Sequence, residues 1–235
     1  MTSESNTTVV ILQPGYLPWL GFFDQLRRAD VFVYYDDVQY DTHGWRNRNR
    51  IKTQNGPLWL TVPVRHSGVG LPRILDVEID ARTPWARKHV TSIRQAYARA
   101  PHLSRYLPPL EELLERRWSR LVDLDIACAA LMAEWLGVRR RIERSSELDV
   151  AGSRSERLLN ICRRIGASKY VSGDAARSYL DVGLFERSGV TVEWQQFAHP
   201  TYPQLHGEFI SHLSMLDLIL NCGEAAPLIA FGGMQ

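Results

Sequence analysis

The sequence has no cysteine pair at a zinc-finger or redox spacing. Its three cysteines, Cys128, Cys162 and Cys222, stand far apart, and so read as buried thiols in a reducing cytosol. No stretch approaches the roughly 20 apolar residues that span a bilayer. Residues Met1 to Asn6 are polar and acidic, with no basic segment leading into an apolar run, so no secretory signal is read and a cytoplasmic location is expected. His199, His206 and His212 lack zincin spacing, and no metal is expected. Ser172 lacks the preceding glycine of a nucleophile elbow. Excess charge is also missing. A net +2 offers neither a nucleic-acid coat nor a basic membrane patch.

What is present is ordinary globular material: 45% hydrophobic and 23% charged residues over 235 positions, enough for a substantial core. Thr8 to Leu12 is β-branched and apolar and reads as a buried strand. Pro14 and Gly15 break it, a helix from about Pro18 to Arg28 follows, and Asp30 to Tyr35 is a second strand. Strand, helix, strand at this spacing is a βαβ unit, which predicts adjacent parallel strands. Asp41 to Arg50 reads as a polar loop, Leu58 to Val64 as a strand, Ser67 to Gly70 as a turn, and Asp76 to Ile79 as a half-exposed strand. Helices are expected at Trp85 to Ala98, Pro108 to Trp118 and Ser119 to Leu136, the last stopped by Gly137. The βα pattern returns with a helix from Ser155 to Ile165 closed by Gly166, a strand at Lys169 to Val171, a short helix from Ala175 to Leu180 and a strand at Val190 to Trp194. Leu213 to Leu220 reads as a core helix. The expectation is one α/β domain over residues 1–235, with a mostly parallel, Rossmann-like doubly wound sheet and a helical insertion at about 84–137.

Four clusters carry chemistry. Gln13-Pro14-Gly15-Tyr16 lies past the carboxyl end of the first strand, where open α/β sheets place ligands. Asp36-Asp37-Val38-Gln39 ends the second strand, and adjacent carboxylates on a strand point to opposite sides, so they are not a matched acid/base pair. Trp45-Arg46-Asn47-Arg48-Asn49-Arg50-Ile51-Lys52 alternates cations with amides and has no acidic residue. Arginine forks fit phosphate or carboxylate, so a small anionic ligand suits this run better than a nucleic acid. Late in the chain, Ser172-Gly173 follows a strand as a second ligand turn, and Tyr202 and Gln204 lie in a Pro-rich loop.

Several of these motifs occur together and in order: Gln13-Pro14-x-Tyr16-x-Pro18, Asp36-Asp37-Val38-Gln39, Trp45-x-Asn47-Arg48-Asn49-Arg50-Ile51, Tyr202-x-Gln204 with Phe209, and Leu213-Ser214-x-x-Asp217. In this the chain resembles the WbqC-like family, from Val10 to about Glu224. The resemblance implies a place in O-antigen or related surface-polysaccharide biosynthesis, and transfer of glycine or another aminoacyl group to an amino sugar. Gly15 and Leu12 depart from the family's pattern. The first βαβ unit is also similar in architecture to that of nucleotidylyltransferases such as pantothenate synthetase. Tyr16 to Gly21, however, lacks their His-x-Gly-His, which weighs against adenylyl transfer.

The combined expectation is an acyl or aminoacyl transferase. Arg48 and Arg50 would clamp an anion, with Trp45 and Gln39 beside them, and Asn47, Asn49, Gln13 and Gln204 would orient polar groups. Asp36 or Asp37 would take the proton of the attacking amine, and Tyr16 or Tyr202 would polarise the carbonyl. A nucleotide-using transferase or ligase and a non-catalytic binding protein are the alternatives. No cofactor and no oligomeric state is read.

Overall fold

The structure is a computed structural model that describes residues 6–42, 44–65 and 72–232. The expectations for the N-terminal segment before Asn6 and for the Ser67 to Gly70 turn lie outside the described residues. In chain order the elements are β1 (Thr8–Leu12), α1 (Leu20–Arg28), β2 (Val31–Tyr34), β3 (Arg48–Thr53), β4 (Gly56–Thr61), β5 (Val64–Arg65), β6 (Glu78–Ile79), α2 (Trp85–Ala96), α3 (Leu103–Glu115), α4 (Leu121–Trp135), β7 (Arg141–Arg144), α5 (Arg154–Ile165), β8 (Lys169–Ser172), α6 (Val182–Glu186), β9 (Thr191–Trp194), α7 (Met215–Cys222) and α8 (Ala226–Phe231). The chain divides into two compact units.

The first unit takes the residues up to Gln13, then Asp24–Asp37 and Arg139–Ala198. Its five strands form an all-parallel sheet in the order β7-β2-β1-β8-β9. In order of appearance that is 3-2-1-4-5, a Rossmann-like arrangement whose direction of winding reverses between β1 and β8. The fold is α/β. β1 and β2 are parallel neighbours with Val9 opposite Val31 and Leu12 opposite Tyr34, as the βαβ pattern predicts. All four residues of β2 and the middle three of β1 are buried, which is why these strands read as unbroken apolar runs. Val9, Ile11, Val31, Val33 and Tyr170 pack against Leu158, Leu159 and Cys162 of α5 and Phe185 of α6. Each such aliphatic side chain contributes roughly 1.5–3 kcal/mol on burial. Gly166 ends α5 in the left-handed conformation at φ 75°, which a residue with a Cβ adopts at a cost.

The second unit takes Pro14–Phe23, Val38–Val138 and the chain from His199 onward. It holds the antiparallel hairpin β3–β4, the short pair β5–β6, and the helices α2, α3, α4, α7 and α8. Here three readings need correction. The polar loop expected through Arg50 is a strand from Arg48, because its amides point inward and take buried partners. The helix expected from Pro108 starts at Leu103 and carries Pro108 and Pro109 inside it. The carbonyls they leave unpaired are those of Ser104 and Arg105, both exposed residues that water can serve. The segment expected as one strand from Leu58 to Val64 splits into β4 and β5. In the first unit, the short helix after β8 is a 3-10 turn, Asp174–Ser178.

Candidate functional site

In the first unit, β1 and β8 run side by side with Val10 opposite Val171, so the chain leaves both strands at one edge of the sheet. Gln13 and Ser172-Gly173 stand at that edge. Beneath it lies a buried amide relay. Gln25 Nε2 donates to Gln195 Oε1 at 2.8 Å, and Gln195 Nε2 donates to Asp24 Oδ2 at 3.0 Å. Gln25 Oε1 is buried without a hydrogen-bond partner among the described residues. A Cβ at Gly173 would meet only Gln25 Nε2, at 3.5 Å.

Asp36 and Asp37 close the end of β2. Asp36 is fully buried and accepts from Arg144 Nε at 2.7 Å, Ser146 Oγ at 2.9 Å and Ser146 N at 3.1 Å, with Ser145 Oγ 3.2 Å away. Asp37 accepts from Ser145 Oγ at 2.6 Å and pairs with Arg157. The two carboxylates thus clasp the start of the turn after β7.

In the second unit, the Pro14 to Trp19 turn is held by Asn49 of β3 and by Arg46. Arg46 Nη1 donates to Pro14 O at 2.7 Å. Asn49 Nδ2 donates to Leu17 O at 2.7 Å and Tyr16 O at 3.3 Å. This holds Leu17 at φ 44°, an uncommon conformation for leucine. Asn47 Nδ2 donates to Val62 O at 2.9 Å. A Cβ at Gly15 would fall 2.9 Å from the Trp45 carbonyl oxygen, which accounts for glycine at that position. The Tyr16 ring is fully buried, and its hydroxyl meets His89 Nδ1 at 3.0 Å. Burial lowers His89 to about 4, against a bond to the Thr61 backbone that raises it. That backbone carbonyl needs an N–H from the other ring nitrogen, so Nδ1 accepts and the Tyr16 hydroxyl donates. Asp125 and Cys128 are also fully buried beside Tyr16, and burial pushes the Asp125 carboxyl well up.

The strand alternation sends Asn49 and Ile51 inward and Arg48 and Arg50 to the other face, where register sets Arg50 opposite Trp59. The Arg48 guanidinium lies 4.7 Å from the Trp59 ring centre, and that of Arg50 lies 5.4 Å from Trp45 and 5.5 Å from Trp59. The two indoles are 5.1 Å apart, and both remain over 40% exposed. Arg50 Nη2 also donates to the His212 carbonyl at 3.3 Å, and its buried Nε has no hydrogen-bond partner among the described residues. The His212 ring stacks on Trp19 at 5.1 Å. Gln39 is exposed and forms an isolated bridge with Arg73.

Behind this face is a buried polar core. Lys52, 1% exposed, donates to Gln204 Oε1, Gly207 O and Glu208 O at 3.2, 3.3 and 2.5 Å. Gln204 Nε2 donates to Asp217 Oδ2 at 2.8 Å, and Tyr97 Oη donates to Asp217 Oδ1 at 2.7 Å. Tyr202 is buried and packs on His199 and Phe209. Ser214 caps α7 by accepting from Leu216 N at 3.2 Å, and its own N–H donates to Arg50 O at 2.9 Å.

The WbqC-like protein family matches residues 13–228, which takes in both units. The chain belongs to the WbqC-like family. It is 38% identical over 223 residues to Uncharacterized protein Rv1507c of Mycobacterium tuberculosis (strain ATCC 25618 / H37Rv), covering 93% of this chain and 95% of that protein. No solved structure matches. Of the residues expected at the site of this WbqC-like protein, Gln13, Asp36, Asp37, Ser172 and Gly173 belong to the first unit. Tyr16, Gln39, Trp45, Asn47, Arg48, Asn49, Arg50, Tyr202 and Gln204 belong to the second. Trp59, Lys52, His89, Asp125, His212 and Asp217 have no site role in the sequence expectation. Asp217 did carry a signal, since it is an acid inside an otherwise mostly apolar helical run. Among the described residues, no group of three or more His, Cys, Asp or Glu is placed to hold a metal ion, and no helix is long and apolar enough to cross a membrane.

Proposed function

We propose that this protein is a transferase that joins an acyl or aminoacyl group, glycyl among them, to the amine of a ring-shaped, anion-bearing small molecule of the amino-sugar kind, in surface-polysaccharide or secondary-metabolite biosynthesis. The observation that carries the reading is the exposed Trp45–Trp59 pair with Arg48 and Arg50 laid on it. Indole faces offer a flat apolar surface to a ring. The stacked guanidiniums offer planar forks to a phosphate or carboxylate. The stretch from Thr42 to Thr61 contains no acidic residue that would repel such a ligand. Family membership supports the same reading. Asn47 and Asn49 serve it by fixing the hairpin and the Pro14 to Trp19 turn, since their amides are engaged with backbone carbonyls.

Arg48→Lys tests the fork. Lysine keeps the charge but loses two-point recognition. With glucosamine 6-phosphate as probe, affinity is expected to fall about tenfold to a hundredfold, the equivalent of a charge-assisted hydrogen bond of about 1.5–3 kcal/mol. The melting temperature should hold. Calorimetric affinity unchanged from wild type would remove Arg48 from the site. Binding without any transfer would favour a non-catalytic binding protein.

A second reading, a nucleotide-using transferase, is favoured by the strand order and by Gln13 and Ser172-Gly173 at the reversal between β1 and β8. Gly173→Ala is expected to weaken ATP binding at unchanged melting temperature, because its Cβ meets only an ordinary contact with Gln25 and lies at the proposed ligand turn. Equal ATP titration curves for the variant and the wild type would discard this reading.

A further inference from the structure

We infer that His212 is the proton acceptor for the attacking amine at the Trp45–Trp59–Arg50 face; the inference rests on the reading proposed above. His212 carries a φ of 58°, in the left-handed region that strains a residue with a side chain. Four contacts hold it there. Its N–H donates to His199 Nε2 at 3.2 Å, and its carbonyl accepts from Arg50 Nη2 at 3.3 Å. Its ring lies on Trp19, 22° from parallel, and its Nδ1 meets Ser211 Oγ at 2.8 Å. The side chain is nevertheless exposed, and the described hydrogen bonds engage Nδ1 while leaving Nε2 without a partner among the described residues. A strained backbone held by four contacts, with one ring nitrogen of an exposed side chain unengaged among the described residues, is the arrangement of a positioned base.

Four other candidate acceptors are engaged. Asp36 already accepts three hydrogen bonds, and Asp37 is held by Arg157 and Ser145. His89 is buried against Tyr16. His199 has both ring nitrogens in use, with Nδ1 donating to Pro200 O at 2.9 Å and Nε2 accepting from His212 N. Arg50 ties the two functions together, because the guanidinium that stacks on the indoles also holds the His212 backbone.

The chemistry balances with an activated acyl donor such as a thioester or acyl phosphate. The amine nitrogen attacks the acyl carbon, the N–C bond forms, and the carbonyl π pair moves to oxygen. Nε2 takes the proton that the nitrogen sheds. The carbonyl re-forms as the C–S or C–O bond breaks with its electron pair, and the imidazolium returns the proton to the leaving group.

The test uses the full chain, p-nitrophenyl acetate as donor and glucosamine 6-phosphate as acceptor. This acceptor joins a ring, an anion and an amine in one molecule. Asparagine tolerates left-handed backbone, so His212→Asn should keep its melting temperature. It is expected to lower the limiting rate of N-acetyl product formation by at least about 100-fold, with acceptor affinity unchanged and partial recovery on adding free imidazole. Arg48→Lys should weaken affinity and spare the limiting rate. Should His212→Asn melt early, Ser211→Ala serves instead: it frees Nδ1 and should shift the acid limb of the pH–rate profile, which a merely structural histidine would leave in place. If His212→Asn retains a rate within about threefold of wild type, or Ser211→Ala leaves the limb unmoved, the assignment of His212 fails while the reading of the face stands. If wild type does not bind the acceptor, or binds it without turnover, both fall together.

Discussion

Replacing Asp217 by leucine is expected to cost about 3–5 kcal/mol, the loss typical of removing one partner from a buried ionic network. Asp217 is fully buried and accepts from Tyr97 and Gln204. Gln204 in turn accepts from Lys52 at 3.2 Å, and Lys52 is itself 1% exposed. Burial raises the Asp217 carboxyl, while its donors Tyr97 and Gln204, and then the charge of Lys52, pull it down. With leucine there, the Tyr97 hydroxyl and one Gln204 N–H lose their acceptor, and the Lys52 ammonium loses the negative charge that offsets its burial. At about 2–4 °C per kcal/mol for a chain of this size, the melting temperature should drop by roughly 10 °C. Lys52→Met added to Asp217→Leu should recover part of that loss, because the second change removes the stranded cation. A loss below about 1 kcal/mol in the single variant would mean that the network is far more open to water than its burial implies.

What the sequence disclosed follows the physical strength of each signal. β1 and β2 were legible because both faces are buried, so Thr8 to Leu12 and Val31 to Tyr34 are unbroken apolar runs. Gly166 marked the end of α5 because few other residues adopt its φ without strain. β7 was missed because it is an edge strand of sequence Arg-Ile-Glu-Arg, with Ile142 45% exposed, and no hydrophobic pattern records it. β3 was missed for a different reason. Its inward Asn49, and Asn47 just before it, are buried amides whose N–H groups donate to backbone carbonyls, so they look like a loop in composition and behave as core in space. The same cause shaped the site reading. Arg48 and Arg50 were found as cations, but Trp59 lies across the hairpin and only strand register puts it between them. His212 gave no sequence signal at all, because a lone histidine is distinguished by its backbone and its partners and neither is written in the residue type.

Acid should weaken this protein through His89. The residue is 7% exposed on α2, with Tyr16 donating to Nδ1. Desolvation holds its folded-state value at about 4, while the unfolded chain titrates near the ordinary 6.5. Between those values the unfolded state binds the extra proton and the folded state does not, so stability rises with pH across that window. The stabilisation is complete above about 6.5 and is lost progressively as pH falls toward about 4. The difference of about 2.5 units corresponds to about 3 kcal/mol. His199, lowered by burial and by its neighbour His212, contributes with the same sign. His89→Gln isolates the larger effect. Glutamine can still accept from Tyr16 and donate to the Thr61 carbonyl, but it does not titrate. Urea midpoints taken between pH 4 and pH 7 should therefore slope steeply for wild type and much less for the variant, with the two proteins close at pH 7 and wild type falling below the variant at the acid end. Parallel slopes would show that His89 is solvated enough to protonate in place, and the Tyr16–His89 bond could then not be what keeps the Pro14 to Trp19 turn closed over α2.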